Sequence, residues 1–304
     1  MHPDQLSIST ATVRALVAEQ FPQWTDLPVR EVVSEGTVNA LFRIGGQLVA
    51  RFPLRPADVD ATRESLQTEA VAARELLGRT PFATPEPFGI GEPGAGFPLP
   101  WSVQTWITGS TATVVDPGNS FEFAEDLATF IRAVRSIDTH GRTFVGPGRR
   151  GDLQGADSWM EECFENSQGL FDVPPLRRMW AAMRELPRTA PDVMTHGDLI
   201  PGNVLVDGGR LAGVLDVGGL GPADPALDLV GGWHLLEAAP RHVLREQLGS
   251  DDIEWERGKA WAFEQAMGAA WYYVDSNEHM TRMGQRTIAR ILADGPPGSS
   301  TRPQ

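Results

Sequence analysis

The sequence predicts an α+β protein of two lobes: a small antiparallel β lobe carrying one main helix, then a larger, mainly helical lobe. Three observations carry this expectation. The chain, at 304 residues, is long enough for two lobes of roughly 100 to 200 residues each. Strand-like runs and tight turns crowd the part before residue 108, and helical periodicity dominates after Gly109. The lobes are therefore placed at residues 1–104 and 109–304, with 105–108 as a hinge and the proline- and glycine-rich tail 295–304 expected to be disordered.

In the first lobe "EVV", "ALFRI" and "QLVARF" read as short strands, the last two joined by Gly45-Gly46 as a hairpin turn. A helix is expected from about Pro56 to Leu77, with Pro56 in its first turn and Gly78 as its stop. "FPLPWSVQTWI" supplies one or two further strands. Beyond Gly109, helices are expected over Phe121–Ile137, Trp159–Glu165, Pro175–Leu186, Asp224–Leu236, Ile253–Val274 and Arg282–Leu292. Two short strands, around Val204-Leu205 and Gly213–Leu215, interrupt them.

Hydrophobic residues at 41% and charged residues at 22% are ordinary for a soluble globular protein. A net charge of −14 argues against nucleic acid as a partner and favours the approach of a small cationic molecule. No window approaches about 20 uninterrupted apolar residues and the N-terminus reads as no signal peptide, so a cytoplasmic protein with no membrane partner is expected. No protein partner is legible. Cys163, the single cysteine, reads as a packing residue, and Lys259 is the single lysine.

The chemistry concentrates in "VMTHGDLIPGNVLVDGGRLAGVLDVGG", Val193 to Gly219. Four residues separate Asp198 from Asn203, and Asp216 closes the next short strand. Two oxygen ligands able to hold Mg²⁺, with a further carboxylate beside them, suit phosphoryl transfer, where catalysis is mainly positioning and charge neutralisation. A protein kinase arranges the same roles as D-x-x-x-x-N followed by D-F-G, here "DVG" at Asp216–Gly218. By contrast Asp224, followed by Pro225, reads as a helix N-cap, and Asp228 as a tie for that helix.

The stretch "THGDLIPGNVLV…GVLDVGGLGPADPALDL" resembles the aminoglycoside phosphotransferase family of small-molecule kinases, which share a bilobal protein-kinase-like fold. The resemblance implies that Asp198 is the catalytic base or hydroxyl-orienting residue, that His196 beside it orients the loop, and that Asn203 and Asp216 hold Mg²⁺. It implies ATP or GTP as co-substrate and an antibiotic such as an aminoglycoside or macrolide as acceptor. A metabolic kinase for an amino alcohol or sugar, and a non-catalytic nucleotide-binding pseudokinase, are the alternatives. Gly219 stands where aminoglycoside 3′-phosphotransferases usually carry arginine, and the carboxylate-rich C-terminal end that they use for aminoglycosides is missing.

In "QLVARFP", Arg51 takes the place of the lysine in the kinase pattern V-A-I-K, and guanidinium is a permanent cation able to grip phosphate bidentately. At about 100° per residue, Leu66, Ala70, Ala73 and Leu77 form one helical stripe with Glu69 at its border, so Glu69 is the expected partner of Arg51. The turn "SEGTVN", with Ser34 and Gly36, would cover the phosphates, and the adenine edge would meet backbone near Thr105 to Ile107. On the helix from Ile253, extended to Asp275, the residues Phe263, Met267, Ala270 and Val274 read as core. Trp261, Glu264, Gly268, Trp271, Tyr272 and Asp275 share the opposite arc. Of these, Glu264, Trp271 and Asp275 are the candidates for an amine-bearing ring ligand, the alternative being an amphipathic helix half covered by another element. Glu161, Glu162 and Glu165 are read either as substrate contacts or as a solvated face.

Overall fold

The computed structural model describes residues 5–32, 39–146 and 148–295. The turn at Ser34 and Gly36, and nearly all of the tail 295–304, lie outside the described residues. The chain divides into two compact units, one drawn from residues 1–78, 83–108 and 213–218, the other from 79–82, 109–212 and 219–304.

The first unit begins with α1 (Thr10–Gln20), whose first turn is capped by the Ser9 hydroxyl accepting from the Thr12 N–H at 3.1 Å. Its apolar face is short, Val13, Leu16 and Val17, too few residues to announce a helix by periodicity. β1 (Val29–Val32), β2 (Asn39–Ile44) and β3 (Leu48–Pro53) follow, then α2 (Val59–Leu76), β4 (Pro87–Gly91) and β5 (Trp101–Thr105). The strands form one antiparallel sheet in the order β1-β2-β3-β5-β4. Side-chain alternation splits β3 between two faces. Ala50 and Phe52 join Phe42, Trp101 and Val103 in a core closed by α1, with the rings of Phe52 and Trp101 stacked at 4.8 Å. Gly91 lies so close to Trp101 that a Cβ there would meet the indole at 2.2 Å. Arg51 points to the other face.

α2 starts later than its sequence suggests. Asp58 caps it, accepting from the Asp60 and Ala61 N–H groups at 3.0 and 2.9 Å, so Pro56 lies outside the helix. Its buried residues are Ala70, Ala72, Ala73 and Leu76, and Leu77, expected on the buried stripe, is the exposed cap.

The second unit carries β6 (Ser110–Thr111), α3 (Phe121–Arg135), α4 (Asp157–Asn166), α5 (Val173–Met183), β7 (Val193–Thr195), β8 (Val204–Asp207), β9 (Arg210–Val214) and β10 (Gly221–Ala223). β9 runs on into the 213–218 segment of the first unit. α6 (Val230–Leu235), α7 (Ala238–Leu248), α8 (Asp252–Tyr272) and α9 (Glu278–Asp294) complete the unit. β7 pairs with β10, and β8 lies between β6 and β9. The expected single helix over Asp224–Leu236 is instead a 3-10 turn, Pro225–Leu229, leading into α6. Asp224 does cap it, accepting from the Ala226 N–H at 3.1 Å. α8 is buried on almost every side, and α9 packs on it through Gly284, where a Cβ would meet the Ala266 carbonyl at 2.6 Å. No helix among the described residues is long and apolar enough to cross a membrane.

Candidate active site

In the second unit β7 ends at Thr195 and the chain turns through His196 and Gly197, the glycine at φ +85°. Asp228, expected to tie its own helix, holds this turn instead, its two carboxylate oxygens accepting from the His196 and Gly197 N–H groups at 2.8 Å each. The chain between His196 and Asp198 is thereby fixed from below. His196 is fully buried, its ring edge-on to Phe130, and Nδ1 accepts from the Asp198 N–H at 3.3 Å.

Asp198 itself is held from two sides. Asn203 donates through Nδ2 to Asp198 Oδ2 at 2.9 Å and to its carbonyl at 3.0 Å, and Gln265 of α8 donates to Oδ1 at 2.7 Å. Because Asn203 presents its NH₂ to Asp198, its Oδ1 is left as the acceptor end, the orientation a hard cation requires.

Arg149 stands beside the same carboxylate, 3.9 Å from Asp198 Oδ1 and 3.6 Å from Glu264 Oε2, within ion-pair range but not hydrogen-bonded. Glu264 is 5% exposed, and burial pushes its carboxyl up to about 7 despite Arg149. Arg150 next to it donates to the Gly219 carbonyl, filling space where a side chain at 219 would stand. Burial lowers the Arg150 guanidinium from its ordinary value, partly offset by Asp228 and Asp198.

The first unit gathers a second set. Arg51 on β3 is ion-paired with Glu69 on α2 and donates to Gln104 Oε1 of β5 at 3.3 Å. Segment 213–218 reaches this unit because the Val214 N–H donates to the Ala83 carbonyl at 3.0 Å. Asp216 follows, exposed and in the left-handed region at φ +54°, a conformation that costs a non-glycine residue about 1 to 2 kcal/mol. Gly218 lies against Glu69, where a Cβ would meet Cγ at 3.1 Å. Glu69, Asp216 and Gly218 line one hollow with Glu64, Ser65 and Thr68. At the expected hinge, Thr105 and Trp106 commit their N–H groups to the Glu86 and Gln47 carbonyls, while the Ile107 N–H finds no partner among the described residues.

The expected ligand face of α8 is largely covered. Trp261 is fully buried and donates to Asp224 Oδ2 at 3.2 Å, and Gly268 packs under Trp159 of α4. α8 stops at Tyr272, so Asp275 lies past its end, exposed, and does not share a helical face with Glu264. Trp271 is half-buried at 6.0 Å from Trp159, and Val274, expected in the core, is 46% exposed. Glu161 is occupied by Arg177 on the surface at 2.7 Å. Phe263, Met267 and Ala270 are core as expected. Among the described residues no group of three or more His, Cys, Asp or Glu side chains is gathered tightly enough to hold a metal alone.

These arrangements define a class: an α+β chain with an antiparallel sheet in one unit and, in the other, a loop carrying an aspartate and an asparagine five residues apart, a spacing protein kinases also use. The chain belongs to the phosphotransferase enzyme family (APH), whose sequence profile matches residues 29–261. It is 29% identical over 188 residues to an aminoglycoside 3′-phosphotransferase of Escherichia coli, covering 59% of this chain and 66% of that one. With an aminoglycoside 3′-phosphotransferase of Streptomyces fradiae it shares 33% over 154 residues, 46% of this chain and 54% of the relative. The match thus spans between about half and two thirds of these relatives. Among solved structures, the GDP and kanamycin complex of an aminoglycoside 2″-phosphotransferase superposes with a TM-score of 0.70 at 18% identity, over 93% of this chain and 99% of that chain. The apoenzyme of the macrolide 2′-phosphotransferase MphH from Brachybacterium faecium gives 0.62 at 19%, over 90% and 97%.

Proposed function

We propose that this protein transfers the γ-phosphoryl group of ATP or GTP to a hydroxyl of a small cationic antibiotic, an aminoglycoside or a macrolide. The observation that carries this reading is the carboxylate of Asp198, held by Asn203 and Gln265 on a loop anchored by Asp228, with Oδ1 and Oδ2 each keeping a lone pair to offer. In this reading Asp198 accepts the hydrogen bond of the acceptor hydroxyl and takes its proton as the new O–P bond forms. The bond from the γ-phosphorus to the bridging oxygen breaks in the same displacement, leaving the nucleoside diphosphate. Arg51, held by Glu69, binds the nucleotide phosphates as a forked cation. Ser34 and Gly36 are proposed to cover those phosphates, and the Ile107 N–H, without a partner among the described residues, to meet the base beside Thr105.

Asn203, which keeps an oxygen acceptor free, and Asp216, which is exposed, are the residues proposed to hold Mg²⁺, a hard cation that takes oxygen ligands. Bound there, it would neutralise charge on the phosphate oxygens. His196 keeps the loop in register rather than reacting. Of the substrate candidates Glu264, beside Arg149 and Asp198, is proposed to meet an ammonium group of the acceptor, whereas Trp271 packs by Trp159 and Asp275 lies past the end of α8, so neither is carried into this reading.

The test is a coupled phosphotransfer assay with Mg²⁺ and either ATP or GTP, run against aminoglycosides, macrolides and amino alcohols. Antibiotic turnover well above nucleotide hydrolysis is expected. Turnover confined to an amino alcohol, or none on any compound alongside tight nucleotide binding, would overturn the antibiotic reading.

A further inference from the structure

Asp198 is the end of a longer chain of hydrogen bonds. Gln265 donates to Asp198 Oδ1 at 2.7 Å, and its Oε1 lies 3.0 Å from His234 Nε2. His234 Nδ1 lies 2.9 Å from Thr287 Oγ1. His234 is 3% exposed and Thr287 fully buried, so no solvent competes for the far end. Four residues from the loop after β7, α6, α8 and α9 are joined in one line.

The line has only one consistent direction. A carboxylate accepts and cannot donate, so the Gln265 NH₂ must face Asp198 and its carbonyl must face His234. A carbonyl also only accepts, so His234 must carry its proton on Nε2. Burial lowers the His234 pKa to about 4, opposed by the Gln265 hydrogen bond and aided by Arg149 and Arg290, so the ring is neutral near pH 7 and Nδ1 is bare. Nδ1 therefore accepts, and the Thr287 hydroxyl must donate. Each partner fixes the orientation of the next.

We infer that Thr287, His234 and Gln265 form a one-way hydrogen-bond chain that orients the Asp198 carboxylate for the acceptor hydroxyl, Gln265 being the positioning residue and His234 the group that prevents its amide from flipping. The inference rests on the proposed role of Asp198. Asn203 fixes Oδ2 and the chain fixes Oδ1, so the plane of the carboxylate is set by two donors on opposite sides. Without Gln265 the side chain could turn about its terminal bond, and Arg149, 3.9 Å from Oδ1, is the cation that would then draw it away.

Two measurements test the chain, one of them independent of turnover. In protein labelled with ¹⁵N-histidine, His234 is expected to show the neutral tautomer protonated at Nε2, assigned by loss of its signals in His234→Gln. A tautomer protonated at Nδ1, or a doubly protonated ring at neutral pH, would overturn the direction of the chain. The second measurement is steady-state kinetics on the antibiotic turned over in the panel. Gln265→Met keeps the length and removes both bonds, and is expected to lower kcat about 10- to 100-fold, with KM for nucleotide and antibiotic within about twofold. Thr287→Val should lower kcat by a smaller factor and blur the His234 tautomer, and Thr287→Ser should restore both. An unchanged kcat in a folded Gln265→Met protein would overturn the positioning role. If the wild-type chain turns over no antibiotic while the Nε2 tautomer is present, the function reading fails and the hydrogen-bond chain stands.

Discussion

Asp198 and Asp216 ask for different substitutions, because their backbones differ. Asp198→Ala removes an acceptor held by two side-chain donors, so transfer is expected to fall by about 10² to 10⁴, the scale of a lost general base, with nucleotide affinity nearly unchanged. Normal turnover in that variant would remove Asp198 from the chemistry. Asp216 sits at φ +54°, which asparagine tolerates better than alanine. Asp216→Asn should therefore retain thermal stability while weakening Mg-nucleotide binding by about tenfold or more, read by calorimetric titration with and without Mg²⁺. Glu264 makes the pH prediction. Its folded pKa of about 7 lies above that of an unfolded glutamate, so the native state holds the extra proton between about pH 4.5 and 7. Stability should fall as pH rises through that window, by on the order of 3 kcal/mol, and level off above it. Glu264→Gln should flatten the Tm-versus-pH curve over the same window, and an unaltered slope would assign it to other groups. The sequence made Asp198, Asn203 and the Arg51–Glu69 pair legible, since each lies in a motif or a periodic stripe. Arg149, His234 and Gln265 lie in no motif, and only the folded backbone brings them to Asp198.

Among the elements, α8 shows why periodicity can mislead. Trp261, Glu264 and Gly268 do lie on one arc, as their spacing requires, but α4 and the 3-10 turn at Pro225–Leu229 cover that arc. A helix enclosed on all sides carries no contrast between a wet and a dry face, so the sequence alone could not tell a ligand surface from a packing surface. Three-residue strands such as β7 and β10 are too short to show a period of two, and α1 offered only three buried apolar residues. Pro225 and Asp224 correctly marked the start of a helical segment, while the Gly231-Gly232 pair inside α6 lies close against Leu199 and Leu244. Asp224 also accepts from Arg257 Nε at 2.8 Å, with both side chains 3% exposed. Arg257→Leu would leave that carboxylate buried without its cation, and a loss of about 3 to 5 kcal/mol is expected in urea unfolding. A loss under about 1 kcal/mol would show that Trp261 and the cap suffice to hold it.

Across the whole molecule, a charge of −14 should raise the local concentration of a cationic acceptor, and salt should screen the effect. KM for an aminoglycoside is expected to rise as NaCl is taken from about 0.02 to 0.3 M, with kcat less affected; a flat KM would confine recognition to close contacts. Positive charge in this chain is arginine almost throughout, and Lys259, the exception, is fully buried in α8, ion-paired with Asp294 at 2.6 Å and Glu256 at 3.3 Å. That makes a lysine-specific endoproteinase a one-site probe. Such a protease can cut this sequence only after residue 259, and α8 must open before the bond is presented. The rate of appearance of two fragments would report the opening of this one helix, and amine-reactive labels would meet only the chain's terminal amine until that helix opens.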